Sequence, residues 1–98
     1  MDNELDNQYY IQAKLFAILL GDKKLEELKE GKSISLSITK QIFEKMGIKS
    51  DLEQTFRTPD YLRIATGLDK VHFTPSNGEK PAYYTLIKGS IRRSLSRN

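Results

Sequence analysis

The chain has 98 residues, 38% of them apolar and 30% charged, with a formal net charge of +3. That is enough for one domain with a single modest core and the composition of a globular protein. No cysteine is present, which excludes disulfides and thiolate metal sites, and the longest apolar run, residues 15–20, is too short to span a bilayer.

The net charge hides an asymmetry. Residues 1–30 hold seven acids against four bases, and residues 31–98 hold six acids against twelve bases. After Glu79 the charged residues are Lys80, Lys88, Arg92, Arg93 and Arg97, with no acid among them. A basic end on a near-neutral body is the electrostatic footprint of nucleic-acid binding, or else a solvated tail. The acidic start has no signal-peptide layout, so a cytoplasmic location is expected.

Residues 1–7 are polar and are expected to fray. Residues 8–20, QYYIQAKLFAILL, form a helix whose apolar side chains wrap past one stripe. Such a helix needs more than one partner surface. The simplest is a second subunit, so Tyr9, Leu15, Phe16 and Leu19 are expected at a homodimer interface. Gly21 ends this helix, and Asp22 is expected to cap a short one over 23–30 that stops at Gly31.

Residues 33–38 alternate serine with apolar side chains, the pattern of a half-buried strand. Ser37 is then expected to cap a helix carrying Ile38, Ile42, Phe43 and Met46 on one face, with Gly47 closing it. Ser50-Asp51-Leu52-Glu53 has the form of a capping box. Pro59 disfavours helical geometry at Thr58, so two short helices are expected, 50–57 and 59–66, the second capped by Thr58 and closed by Gly67.

From Lys70 the period returns to two. KVHFTPS and AYYTLIK flank Asn77-Gly78, the strongest short hairpin signal. A two-residue turn there pairs Ser76 with Glu79 and Phe73 with Ala82. Pro75 and Pro81 limit ladder hydrogen bonds near the tip, so the tip should project. Val71, Phe73, Tyr84 and Leu86 are expected on one side and His72 on the other. Ser90 is expected to cap a short basic helix over 91–96. A single histidine without cysteine makes no ordinary zinc site, no glycine-rich phosphate loop occurs, and no carboxylate pair suggests acid–base chemistry. No metal, cofactor or enzymatic activity is expected.

Taken together, the elements predict an α+β single domain with a core over residues 8–88 and a basic segment over 89–98. Their order, with the Ile42, Met46, Gly47 and Ile48 pattern at the first helix and turn, resembles the winged helix-turn-helix family. The chain departs from that family at Phe43, where a small residue is usual, and at Leu52, one residue early for its core position. Asp51 and Glu53 are also poor groups to aim at phosphates. The resemblance implies duplex DNA binding, with a recognition helix in the major groove and the hairpin as wing. The groove candidates it implies are Gln54, Thr55, Arg57 and Thr58, with Tyr61 and Arg63 on the alternative helix 59–66. The wing candidates are Asn77 and Lys80 with Lys70 at the base, and Arg92, Arg93 and Arg97 would contact phosphates. A dimeric transcriptional regulator or a plasmid or phage accessory protein fits this reading. The competing expectation is a small inhibitor or adaptor that docks on a larger protein through the acidic first thirty residues and the apolar first helix.

Overall fold

Four helices and a small antiparallel sheet are strung in the order α1 (Asn3–Leu20), α2 (Asp22–Lys29), β1 (Ile34–Ser35), α3 (Leu36–Lys45), α4 (Asp51–Thr66), β2 (Lys70–Thr74) and β3 (Tyr83–Ile87). The computed structural model describes residues 3–88, with side chains from Asn7 onward. The expected helix over 91–96 and Arg92, Arg93 and Arg97 lie outside the described residues.

The first helix starts at Asn3, inside the stretch expected to fray. Asp22 is the first residue of α2 and not its cap: Gly21 holds the cap position, with no side-chain bond to the helix. The strand expected over 33–38 is cut to Ile34–Ser35 because helix takes over at Leu36. Ser35, rather than Ser37, caps α3, its hydroxyl accepting from the Ile38 N–H at 3.3 Å. Gly47 ends α3 with φ 85. There Gly47 N–H bonds to Glu44 O at 3.0 Å and Ile48 N–H to Phe43 O at 2.9 Å, the paired closure in which a left-handed glycine satisfies the last carbonyls.

Ser50 caps α4, accepting from the Glu53 N–H at 3.2 Å. The two helices expected on either side of Pro59 are one helix with the proline inside it. Proline removes one backbone bond and crowds the preceding turn. Packing overrides this, because Gln54, Thr58, Tyr61, Leu62 and Thr66 are buried along one face that runs past Pro59.

The sheet order is β1-β3-β2. In the hairpin Phe73 pairs with Tyr84 and Thr74 with Tyr83, two places from the expected register. Strand pairing stops before both prolines, so the connection covers residues 75–82. At its tip the Asn77 carboxamide oxygen accepts from Glu79 N–H at 3.1 Å and Lys80 N–H at 3.0 Å, the local bonding that lets asparagine organise a turn. Gly78, at φ 94, supplies the positive angle.

Val71, Phe73, Tyr84 and Leu86 do share a face, with Val71 opposite Leu86, and His72 is exposed on the other. Val71, Tyr84 and Leu86 close the core from that face, while Phe73 stays 44% exposed. Phe16 of α1, Phe43 of α3 and Tyr61 of α4 meet at ring-centre distances of 5.1 to 5.8 Å. Leu28, Ile34, Leu62, Tyr84 and Leu86 surround them. No helix among the described residues is long and apolar enough to cross a membrane.

Candidate nucleic-acid interface

The helical candidates separate by the face they occupy. Gln54 and Thr58 point inward, at 6% and 1% exposure. The Gln54 amide donates to Ile48 O at 2.8 Å, fastening α4 to the turn before it, and the Thr58 hydroxyl donates back to Gln54 O. Both are packing residues here, a correction that follows from Leu52 standing on the outer face. Thr55 is exposed and stays available.

Arg57 is held within the fold. Its guanidinium donates to Gln12 Oε1 and to the Tyr61 hydroxyl, each at 3.1 Å. It pairs with Glu53 at 2.8 Å and lies 5.5 Å from the Tyr9 ring centre. The Tyr61 bond is the first cause of its raised pKa, against a smaller cost of burial. Its donors therefore join α1 to α4 instead of pointing to solvent. Arg63 is paired with Asp60 at 2.6 Å, and Asp60 also accepts from the Tyr9 hydroxyl at 2.8 Å.

The acids at the start of α4 are also engaged. Asp51 meets Lys40 of α3 at 3.2 Å, and the Glu53 carboxylate faces Arg57. The exposed Lys40–Asp51 pair adds little stability, but both pairs reduce the repulsion an anion would meet there.

The hairpin candidates fare differently. Lys70 is exposed at the hairpin base, opposite Ile87. Asn77 and Lys80 are exposed at the tip. A cleft of about 310 Å³ lies beside the returning strand, lined by Ser33, Ser35, Lys80, Pro81 and Tyr83. It brings a lysine and three hydroxyl-bearing residues beside the N-terminus of α3, whose first turn carries no acid. Ser35 and Tyr83 are register partners in the sheet, which sets their side chains on the same face.

No family model, curated protein or solved structure matches the chain.

Sequence reasoning singled out Lys80 in this cleft and missed Ser33, Ser35 and Tyr83. The signal was present: strand alternation sets both serines opposite Ile34, and Tyr83 opposite the buried Tyr84. It also missed the outer face of α4, where Leu52 and Phe56 are each 80% exposed. With Ser50 and Glu53 they line an open concavity of about 440 Å³. The displaced core position at Leu52 was the warning. Of the expected subunit-contact residues, Leu15 and Leu19 are exposed. Phe16 is fully buried in the chain's own core, and Tyr9 is half-buried against Tyr61, 5.2 Å between ring centres. Those two serve the monomer.

Proposed function

We propose that the protein binds duplex DNA in the manner of a winged helix-turn-helix protein, with the β2–β3 hairpin as wing, and acts as a small regulator or DNA-binding accessory protein. Support comes from the α3–turn–α4 unit followed by the hairpin, with β1 pairing on the β3 edge to give the order β1-β3-β2. The observation that carries the reading is the cleft lined by Lys80 together with Ser33, Ser35 and Tyr83. Lysine ammonium groups, hydroxyls and helix N-termini are the usual partners of phosphate oxygens.

Affinity in this mode comes from the backbone, through Lys80, Lys70 and the basic segment beyond residue 88. Sequence choice is narrow, because α4 offers Thr55 to a groove while Gln54, Arg57 and Thr58 are engaged internally.

The test is fluorescence anisotropy of mixed-sequence duplex titrated with the full chain over a salt series. Lys80→Ala should weaken binding alike for all sequences and flatten the log–log salt slope by roughly 0.9, the share of one neutralised phosphate. Failure of the wild type to bind any duplex at low salt would overturn the reading. The exposed Leu52–Phe56 pair then favours the second one, a module that docks on another protein through α4.

A further inference from the structure

Between α1 and α4 lies a hollow of about 270 Å³, lined by Tyr10, Lys14, Ala17 and Ile18 of the first helix and Ile64 and Ala65 of the second. Positions 10, 14, 17 and 18 share one side of α1. Ile64 and Ala65 come one turn after Tyr61, the residue through which α4 meets Tyr9 and Phe16. Both helices contribute an alanine to the lining, Ala17 and Ala65, and these short side chains leave the gap unfilled. At its rim Ile18 is 74% exposed and Tyr10 50%, so apolar surface stands in water beside it.

The lining holds a single charge. Lys14 is exposed, and its ammonium lies 5.2 Å from the Tyr10 ring centre, a distance at which a ring attracts a cation. No acid lines the hollow, and no acid among the described residues forms an ion pair with Lys14.

We infer that this hollow binds a medium-chain alkyl carboxylate, its chain laid along Ala17, Ile18, Ile64 and Ala65 and its carboxylate on the Lys14 ammonium. The two ends of the site select this class. An apolar floor with one cation at the rim matches a ligand with an apolar body and one negative charge. A neutral chain leaves the ammonium without a counter-charge, and a small anion leaves Ile18 in water. Size sets the length of the chain. The hollow falls just short of the ~300 Å³ at which sites for drug-sized ligands begin, so it takes one chain of about eight carbons. The site stands independently of the DNA reading, since it uses no residue of the hairpin.

The test is a proton–nitrogen correlation NMR titration of the full chain with sodium octanoate, at fixed pH and ionic strength and below the micelle-forming concentration. Amide signals of residues 10–18 and 64–65 should move along one saturable curve. Acetate, which has the charge without the chain, should leave them in place. Octylammonium, which has the chain and the opposite charge, should bind more weakly than octanoate, and Lys14→Glu should invert that preference. An exposed ion pair is worth little, so Lys14→Met should raise the octanoate Kd by only about threefold to fivefold. Ile18→Ala should weaken both alkyl probes alike. Lys14 and Ile18 are exposed, so signals away from the hollow should match the wild type in every variant. Shifts that fail to saturate, or that centre on the basic hairpin, would overturn the site. Equal binding of octanoate and octylammonium, or a preference for octanoate that survives Lys14→Glu, would overturn the carboxylate as the group recognised.

Discussion

Arg57 shows how a side chain that reads as a ligand contact in sequence becomes a structural tie in three dimensions. Its guanidinium joins Gln12 of α1 to Tyr61 and Glu53 of α4, and it lies over the Tyr9 ring. Arg57→Ala should therefore lower stability by about 1–2 kcal/mol, read as a shift in the urea midpoint. An unchanged midpoint would mean that the guanidinium is merely solvated. Tyr9 carries a pH dependence of its own. Burial first, then the bond to Asp60, pushes its hydroxyl up from 10.0 to about 12. The fold keeps this proton where the unfolded chain begins to lose it. The contribution is complete below about pH 10 and is lost as pH climbs toward 12. Tyr9→Phe should flatten the fall in stability across that window, and an equal fall in both proteins would remove Tyr9 as its source. Asp60 runs the other way. Its carboxyl is held below the ordinary range, chiefly by Arg63 and with help from Tyr9, against burial. That contribution is present above the ordinary carboxylate value and lost as pH falls beneath it.

Among the elements, local chemistry is most legible where a turn or cap is decided by its own residues. Ser50, Gly47 and Gly67 do what their positions imply. The hairpin face formed by Val71, Phe73, Tyr84 and Leu86 is legible for the same reason, since strand alternation needs no knowledge of a partner. What escapes depends on tertiary packing. Ser37 reads as the cap, and it is pairing of Ile34 with Tyr84 that ends the strand early and lets Ser35 cap the helix from Leu36. The expected turn is displaced by one residue: Asn77 N–H bonds to Lys80 O at 3.2 Å around Gly78 and Glu79, and the ladder resumes only at Thr74 and Tyr83 because Pro75 and Pro81 withhold N–H groups. Pro59 signals a break in sequence, yet Thr58 and Tyr61, at 1% and 0% exposure, hold both halves of α4 on one core. A proline kept inside a helix by packing alone leaves strain to relieve. Pro59→Ala should raise stability by about 1–2 kcal/mol. That is below the ~3 kcal/mol of an interior proline, because proline also restricts the unfolded chain. A loss of stability, measured by thermal melting, would show that the proline fits its site without cost.

At the scale of the molecule, the exposed apolar surface is largest on the helices, with Phe73 and Ile87 adding to it on the basic hairpin. The outer face of α1 and the Leu52–Phe56 turn of α4 are exposed and apolar, while Lys70, Lys80 and Lys88 lie on the hairpin and its continuation. Glu4, Asp6, Asp22, Glu26 and Glu27 belong to α1 and α2, away from that basic run in sequence. A chain that binds duplex through its hairpin gains affinity from further bases at the same end, whatever conformation those residues take. Arg92 and Arg93 continue the run that begins at Lys80 with no acid between. Phosphate contacts release counterions and carry no sequence information, so each should add to affinity and to the salt dependence alone. Replacing Arg92 and Arg93 together by alanine should weaken binding to all duplexes by a similar factor. It should also flatten the log–log salt slope by roughly 0.9 for each phosphate that is no longer neutralised. The thermal midpoint should stay the same, since the core is built from side chains between Tyr9 and Leu86. Equal affinity of the wild type and the double variant across the salt series would make the tail only solvated charge. A weakening confined to one duplex sequence would instead assign these arginines to base reading.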